Sequence, residues 1–136
     1  MGRSRFVQPD IVRIFISDGD YLDVKKQLTA GESRRIFART AMGMTPGEKI
    51  LLDPEKIGIT KVFEYVVGWG GPGFVDAQGH PVDYSEDALG QLDAETFTEI
   101  IKAVDTHEET QTAAREAEKN SRDGKIASGQ TSPSVN

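Results

Sequence analysis

Residues 59–84 constrain the fold most, because they hold the densest apolar run in the chain and its only tryptophan, Trp69. β-branched and aromatic residues alternate from Val62 to Trp69, which favours a strand with both faces at least partly covered. A helix remains an alternative, since a short apolar run does not distinguish a strand from a helix. Glycines from Gly68 onward end the run, and a turn with Gly79 at positive φ leads to a return segment at 82–84. We therefore expect a central strand on which the other elements pack.

A β-hairpin is predicted ahead of this strand. Residues 11–16 and 21–25 are apolar or alternating, and Asp18-Gly19 lies between them, a strong signal for a tight hairpin turn. Leu22 and Val24 fall on one face of the second strand. Asp18 and Asp20 are expected to serve the turn rather than to bind metal.

The first helix is predicted from about Ala30 to Met42. Thr29 and Glu32 have the spacing of a capping box, in which each side chain satisfies a backbone N–H of the other residue. An apolar stripe is expected along one face, with arginines on the other side and Gly43 as the stop. The stripe comprises Ile36, Phe37, Ala41 and Met44. Residues 45–58 form a predicted connector, with a short strand or buried turn at 50–52.

Two further helices are predicted near the C-terminus. A short one covers residues 86–92, and Asp93 is the expected N-cap of the longest helix. Phe97, Ile100, Ile101 and Val104 have the spacing of a single buried face. Large apolar residues almost cease after Val104, so the helix should project. The expected organisation is a flexible arm at 1–9, a domain at 10–105, a projecting helix end at 106–119 and a disordered tail at 120–136.

These elements predict an α+β fold, in which an N-terminal β-hairpin and a small antiparallel sheet pack with two to three helices. The length of 136 residues suits one domain with a real core. Without cysteine, disulfides and thiolate metal sites are excluded. A net charge of −6 argues against nucleic-acid binding by the domain as a whole. Neither a signal peptide nor an apolar run long enough for a membrane span is predicted.

The residue types of catalytic and metal sites are sparse. His80 and His107 are the only histidines; His80 is expected in a turn and His107 on an exposed helix end. Their surroundings do not supply the ligand set of a zinc site. The glycine-rich stretch after Trp69 lacks the Gly-Lys-Ser/Thr signature of a phosphate loop. A Ser–His–Asp arrangement formed in space stays open, but we expect no enzyme, cofactor or metal.

Arg34, Arg35 and Arg39 form the clustered positive charge of an acidic chain. The plain interpretation is a solvated helix face, and the alternative is a rim for an acidic protein partner. Phe37 and Trp69 are the apolar residues that we add to this candidate partner-binding set, although packing in the core is the more common role of such a tryptophan.

Taken together, the order of these segments resembles the tail assembly chaperones of long-tailed, siphovirus-like bacteriophages. The resemblance spans about residues 10–110 and rests on SDGDYLDVKKQLTAGESRRIFAR, the strand that ends in Trp69, FVDAQGHPVDYSEDAL and LDAETFTEIIKAVDTHEE. The matching positions are Asp20-Tyr21, Asp23-Val24-Lys25, Gly31-Glu32, Arg34-Arg35, Trp69, Asp76, Gly79 and Pro81. The GGPG insert after Trp69 departs from the family pattern, in which the Asp-x-x-Gly turn follows the tryptophan directly.

The resemblance implies a non-enzymatic protein of the host cell cytoplasm that coats the tape measure protein and is absent from the mature virion. It also implies that a longer form is often made by ribosomal frameshifting. Tail tube protein and a second copy of the chain are further candidate partners. The alternative function is a structural virion component, either a tail-tube or a head–tail joining protein.

Overall fold

A computed structural model describes residues 4–41 and 54–127 of the chain. Its fold is α+β, as predicted: a three-stranded antiparallel sheet and four helices lie within the described residues. In chain order the elements are β1 (Ile11–Phe15), β2 (Tyr21–Lys25), α1 (Ala30–Ala41), α2 (Pro54–Tyr65), β3 (Val66–Gly70), α3 (Glu86–Gly90) and α4 (Ala94–Ala127).

The hairpin prediction is confirmed. β1 and β2 pair antiparallel from Ile11 opposite Lys25 to Phe15 opposite Tyr21. Asp18 at φ 61° and Gly19 at φ 83° make the turn between them. Two successive residues with positive φ match the right-handed twist of the strands, which explains why Asp-Gly occupies this position.

The prediction that the strand ending in Trp69 is central is wrong: the strand order is β1-β2-β3, so β2 is the central strand and β3 lies at the edge. Leu22 pairs with Trp69 and Val24 with Val66, and the register shifts between Asp23 and Val24. Leu22 and Val24 are completely buried, together with Val62, Ile100 and Val104 of the helices. The core therefore lies between one face of the sheet and helices α2 and α4.

The predicted strand through Val62 is wrong in its first half. Residues up to Tyr65 form a helix, which was the alternative interpretation. Pro54 begins α2 at a position where its missing N–H costs nothing, so the predicted connector to residue 58 is also too long. Gly58, Val62 and Tyr65 are buried at helical spacing. Gly58 lies so close to Ile101 of α4 that a Cβ there would crowd it. Helix packing thus outweighs the β preference of this segment. Residues 45–53 lie outside the described residues.

Helix α1 confirms the capping box but not the whole apolar stripe. The Glu32 N–H donates to Thr29 Oγ1 at 3.1 Å, and the Thr29 N–H donates to Glu32 Oε1 at 2.8 Å. Ile36 is half-buried, whereas Phe37 is 50% exposed, so its predicted inward position is wrong. The buried Thr40 instead meets Thr60 of α2, with their hydroxyls 3.3 Å apart. Met42, the predicted end of the helix, and Met44, the last residue of the predicted stripe, lie outside the described residues.

Helix α4 confirms the predicted cap and buried face. The Asp93 carboxylate accepts a hydrogen bond from the Thr96 N–H at 2.8 Å. Ile100 and Val104 are fully buried, and Phe97 and Ile101 are partly buried. Residues 113–120 are exposed, as expected of a projecting end. The helix continues to Ala127, so the first part of the predicted disordered tail is helical, and 128–136 lie outside the described residues.

Candidate protein-binding surface

Helices cover one face of the sheet, and no element within residues 4–41 and 54–127 covers the other. Strand alternation directs Leu22 and Val24 into the core, and it directs Ile11 and Phe15 to the opposite side. Ile11 is 52% exposed and Phe15 71%. We call this side the open sheet face; it comprises Ile11, Arg13, Phe15, Tyr21, Asp23, Gly68 and Gly70. It presents large apolar side chains to solvent instead of the polar residues usual on the solvated side of an antiparallel sheet.

Three side chains hold one another in place at the centre of the open sheet face. The Arg13 guanidinium lies 3.8 Å from the centroid of the Tyr21 ring. It also donates to Asp23 at 2.9 Å and 3.2 Å, and these hydrogen bonds raise the pKa of Arg13. Phe15 meets the same tyrosine ring edge-on, with 6.1 Å between centroids. The surface therefore presents aromatic rings and a cation in an arrangement that exists before any partner binds.

The glycine-rich loop after β3 serves packing. The Gly73 N–H donates to Asp20 Oδ1 at 2.7 Å, which ties the loop to the hairpin turn. A Cβ at Gly71 or Gly73 would overlap Asp20, and one at Gly70 would overlap the Tyr21 ring. These glycines therefore let the loop lie against the hairpin, a role that the sequence pattern alone did not indicate. Asp20 takes part in this contact in addition to its predicted role in the turn.

The three arginines of α1 are in different situations. Arg35 donates to Glu64 at 3.0 Å, and Glu64 is only 6% exposed. Arg39 lies over the Phe63 ring at 4.5 Å and pairs with Glu86 at 3.4 Å. Arg34 is exposed and makes no ion pair with any described residue. The predicted positive rim is therefore largely neutralised within the chain, and Arg34 is the member that has no ion pair among the described residues.

Phe37 lies beside a groove between α1 and α2. The groove has a volume of about 280 Å³ and is lined by Ser33, Ile36, Phe37, Thr40, Ile57, Lys61 and Glu108. Lys61 bridges to Glu108 at 2.6 Å within it. Burial together with the Glu108 carboxylate raises the pKa of Tyr65, whose hydroxyl donates to Glu108 at 3.1 Å. Phe37 is thus placed where a partner could reach it.

Trp69 lies on the covered side of the sheet. Its ring stacks on Phe74 with 4.3 Å between centroids and meets Tyr84 edge-on at 5.1 Å. Its Nε1–H donates to the Val82 carbonyl at 2.7 Å. The tryptophan thus joins β3 to the predicted return segment, and Phe74 is buried beside it. The structure does not bring Trp69 together with the α1 arginines.

The two histidines have different surroundings. His80 is exposed in the turn, with its ring nitrogen 3.8 Å from Asp76. His107 is buried, not exposed as predicted, because its Nε2 meets the Lys25 carbonyl at 2.9 Å and its ring packs edge-on against Tyr65. Among the described residues no cluster of three or more potential metal ligands occurs. Nor is any described helix both long and apolar enough to span a bilayer.

Ile11 and Phe15 were missed as candidate surface residues. Their signal is visible in the sequence, because residues 11–16 are apolar on both parities of the strand. A two-sided apolar strand requires a cover on each face, and a short chain with few helices can cover only one side of a small sheet.

Comparison of the chain with protein-family models, curated proteins and solved structures finds no match.

Proposed function

We propose that this chain is a non-enzymatic tail assembly chaperone that binds the tape measure protein through the open sheet face and keeps it soluble in the host cell cytoplasm. The sequence resemblance supports the choice of family. The single structural observation that supports a protein-binding role is the exposure of Ile11 and Phe15 on a preorganised sheet face.

The energetics favour protein binding over a purely structural role for these residues. Covering one large apolar side chain is worth roughly 1.5–3 kcal/mol, and Ile11 and Phe15 leave much of that unused in the isolated chain. Tyrosine and arginine, present here as Tyr21 and Arg13, are enriched among the residues that dominate binding energy at protein interfaces. The face is therefore suited to cover apolar residues of a client that would otherwise aggregate.

The net charge of −6 suits such a role, since excess charge keeps the complex in solution. The exposed Arg34 and Phe37 of α1 are additional client contacts in this proposal, separate from the open sheet face. Rim charges act mainly on association rate and salt dependence, whereas apolar anchors act on affinity. We therefore assign the affinity for the client to the open sheet face and its salt dependence to Arg34.

The experiment is co-expression with the tape measure protein encoded nearby, followed by affinity capture on a tagged copy of this chain. The proposal predicts that the client stays soluble and is captured, and that the client expressed alone is largely insoluble. A client that is insoluble or uncaptured in the presence of this chain would overturn the proposal.

The alternative is a structural virion component, for which exposed apolar residues would serve contacts in the assembled tail. Mass spectrometry of purified virions separates the two functions. A chaperone leaves no abundant peptides from residues 10–105 in the particle, whereas a tail-tube or head–tail joining protein is found there in stoichiometric amounts.

A further inference from the structure

Strand β1 is an edge strand, and no described segment pairs with its outer side. The Ile16 N–H donates to the Asp20 carbonyl and the Lys26 N–H to the Asp10 carbonyl, both at 2.9 Å. Residues 10 and 16 therefore point their backbone groups toward β2. Since these directions alternate along a strand, the N–H and C=O groups of 11, 13 and 15 point outward. An edge of this kind is a template for another strand.

A groove runs beside this edge on the covered side of the sheet. It lies between β1 and α4 and has a volume of about 490 Å³. Val12, Ile14 and Ile16 line it on the sheet side, with Phe15 also reaching it at the end of β1, and Ala103, Thr106 and Thr110 line it on the helix side. Val12 and Ile14 of β1 and Ile16 directly after it are only half-buried, because the sheet ends before α4 is covered. An added strand would bury both sets of side chains.

The sequence of β1 is symmetric about its central residue. Ile11 and Phe15 stand two positions from Arg13 on the open sheet face, and Val12 and Ile14 stand one position from it on the covered side. We propose that β1 pairs with β1 of a second copy, antiparallel about a two-fold axis at Arg13, and that the two sheets thereby join into one of six strands.

This register satisfies the requirements of a partner strand at every position. Ile11 lies opposite Phe15 and Val12 opposite Ile14, so apolar residues meet apolar residues on both faces. The three outward-pointing residues of each copy exchange their backbone hydrogen bonds. Isologous pairing of this kind also closes the assembly at two chains and leaves no β1 edge exposed.

The charges at the centre of the pair do not oppose self-pairing. Arg13 would lie opposite Arg13, which is repulsive for bare cations. Each guanidinium is, however, held by its own Asp23 carboxylate at 2.9 Å. Two arginines and two aspartates then form a neutral group of four. The added strand lies beside the open sheet face and not over it, so the outer surface of Ile11 and Phe15 stays accessible to a client.

The chain contains no cysteine, which permits a direct test of the register. Paired residues of this type have Cα atoms about 5.5 Å apart, within the range that a disulfide spans. Arg13→Cys should therefore cross-link to itself under mild oxidation and give a dimer on a non-reducing gel. Phe15→Cys is the matched control, because two copies of residue 15 would lie roughly 13 Å apart along the strands.

Mixing two variants tests the same register independently of Arg13. Ile11→Cys and Phe15→Cys should cross-link with each other but not with themselves. Dimers of Phe15→Cys with itself as abundant as those of the mixture would overturn the proposed register. The absence of cross-linking in both Arg13→Cys and the mixture would overturn self-pairing.

The native chain provides the equilibrium test. Sedimentation equilibrium should give a mass that rises with concentration from one chain to two. Arg13→Pro should stay monomeric, because it removes an outward N–H that β2 does not use, while Arg13→Ala keeps that N–H and should still dimerise. Circular dichroism checks that both variants fold. A wild type that is monomeric at all concentrations, or a folded Arg13→Pro that still dimerises, would overturn the proposal.

Discussion

The two faces of the sheet are built from the same strands and similar residue types, yet they are in opposite situations. On the covered face, Leu22 and Val24 are completely buried against the helices. On the open sheet face, Phe15 and Ile11 of the neighbouring strand β1 are exposed to solvent. Burial in the core explains the apolar residues of the covered face but not those of the open sheet face. The comparison therefore separates residues that stabilise the fold from residues that are available for binding.

Removal of a side chain from the covered face should have the largest effect on stability. We expect Leu22→Ala to lower the free energy of unfolding by about 3–5 kcal/mol, since the side chain is fully buried and leaves a cavity. Phe15→Ala on the open sheet face should change it by less than about 1 kcal/mol. Urea unfolding of both variants measures the difference. Similar losses would mean that the open sheet face is part of the folding core.

Trp69 tests how the covered face extends into the return segment. Trp69→Ala should cost about 3 kcal/mol, at the lower end for such a substitution because the ring is only half-buried. Trp69→Phe keeps a stacking partner for Phe74 but loses the hydrogen bond to the Val82 carbonyl, so its loss should be smaller. Thermal unfolding separates them. If neither variant lost stability, Trp69 would not contribute to the core and would become a candidate for partner binding.

Two arginines of α1 allow a second comparison. Arg35 has an ion pair within the chain, whereas Arg34 has none among the described residues. Arg35→Ala should lower the melting temperature, because it leaves the buried Glu64 carboxylate without its cation. Arg34→Ala should leave the melting temperature unchanged, since Arg34 pairs with no described residue. Melting curves of the two variants in low and moderate salt provide the measurement. Equal losses would show that Arg34 also has a structural partner.

Deletion of residues 120–136 should have the smallest effect. Residues 113–120 of α4 are exposed, and only Ile126 and Val135 of the deleted segment are large and apolar. We expect a change in unfolding free energy below about 1 kcal/mol, measured by urea titration. A larger loss would mean that the C-terminal segment docks on the domain, and the open sheet face would then be its first candidate position.

Local signals in the sequence predicted much of the fold. Asp18-Gly19 located the hairpin, Thr29 with Glu32 capped α1, and Asp93 capped α4, because each of these depends on residues a few positions apart. Such turns and caps are settled by nearby hydrogen bonds.

The features that were missed depend on contacts between residues that are distant from each other in the sequence. Val62 has a β-type side chain, but its burial against α4 belongs to a helix face. His107 is buried because of a carbonyl at Lys25, 82 residues away. The open sheet face is defined by the lack of a covering layer among the described residues. The apolar residues on both parities of 11–16 indicate two apolar faces, but not which face the helices leave uncovered. Of the predicted partner-binding residues, Phe37 and Arg34 lie on an exposed helix surface, whereas Arg35, Arg39 and Trp69 make contacts within the chain.

The central claim is that the open sheet face binds the client, and capture by a surface variant tests it most directly. Ile11→Ser with Phe15→Ser removes the two exposed apolar side chains, and Val75→Ser is the matched control because Val75 is an exposed apolar residue outside the sheet. With folding checked by circular dichroism, the double variant should capture at least about tenfold less tape measure protein, whereas the control should capture as much as the wild type. Equal capture by all three proteins would contradict the claim.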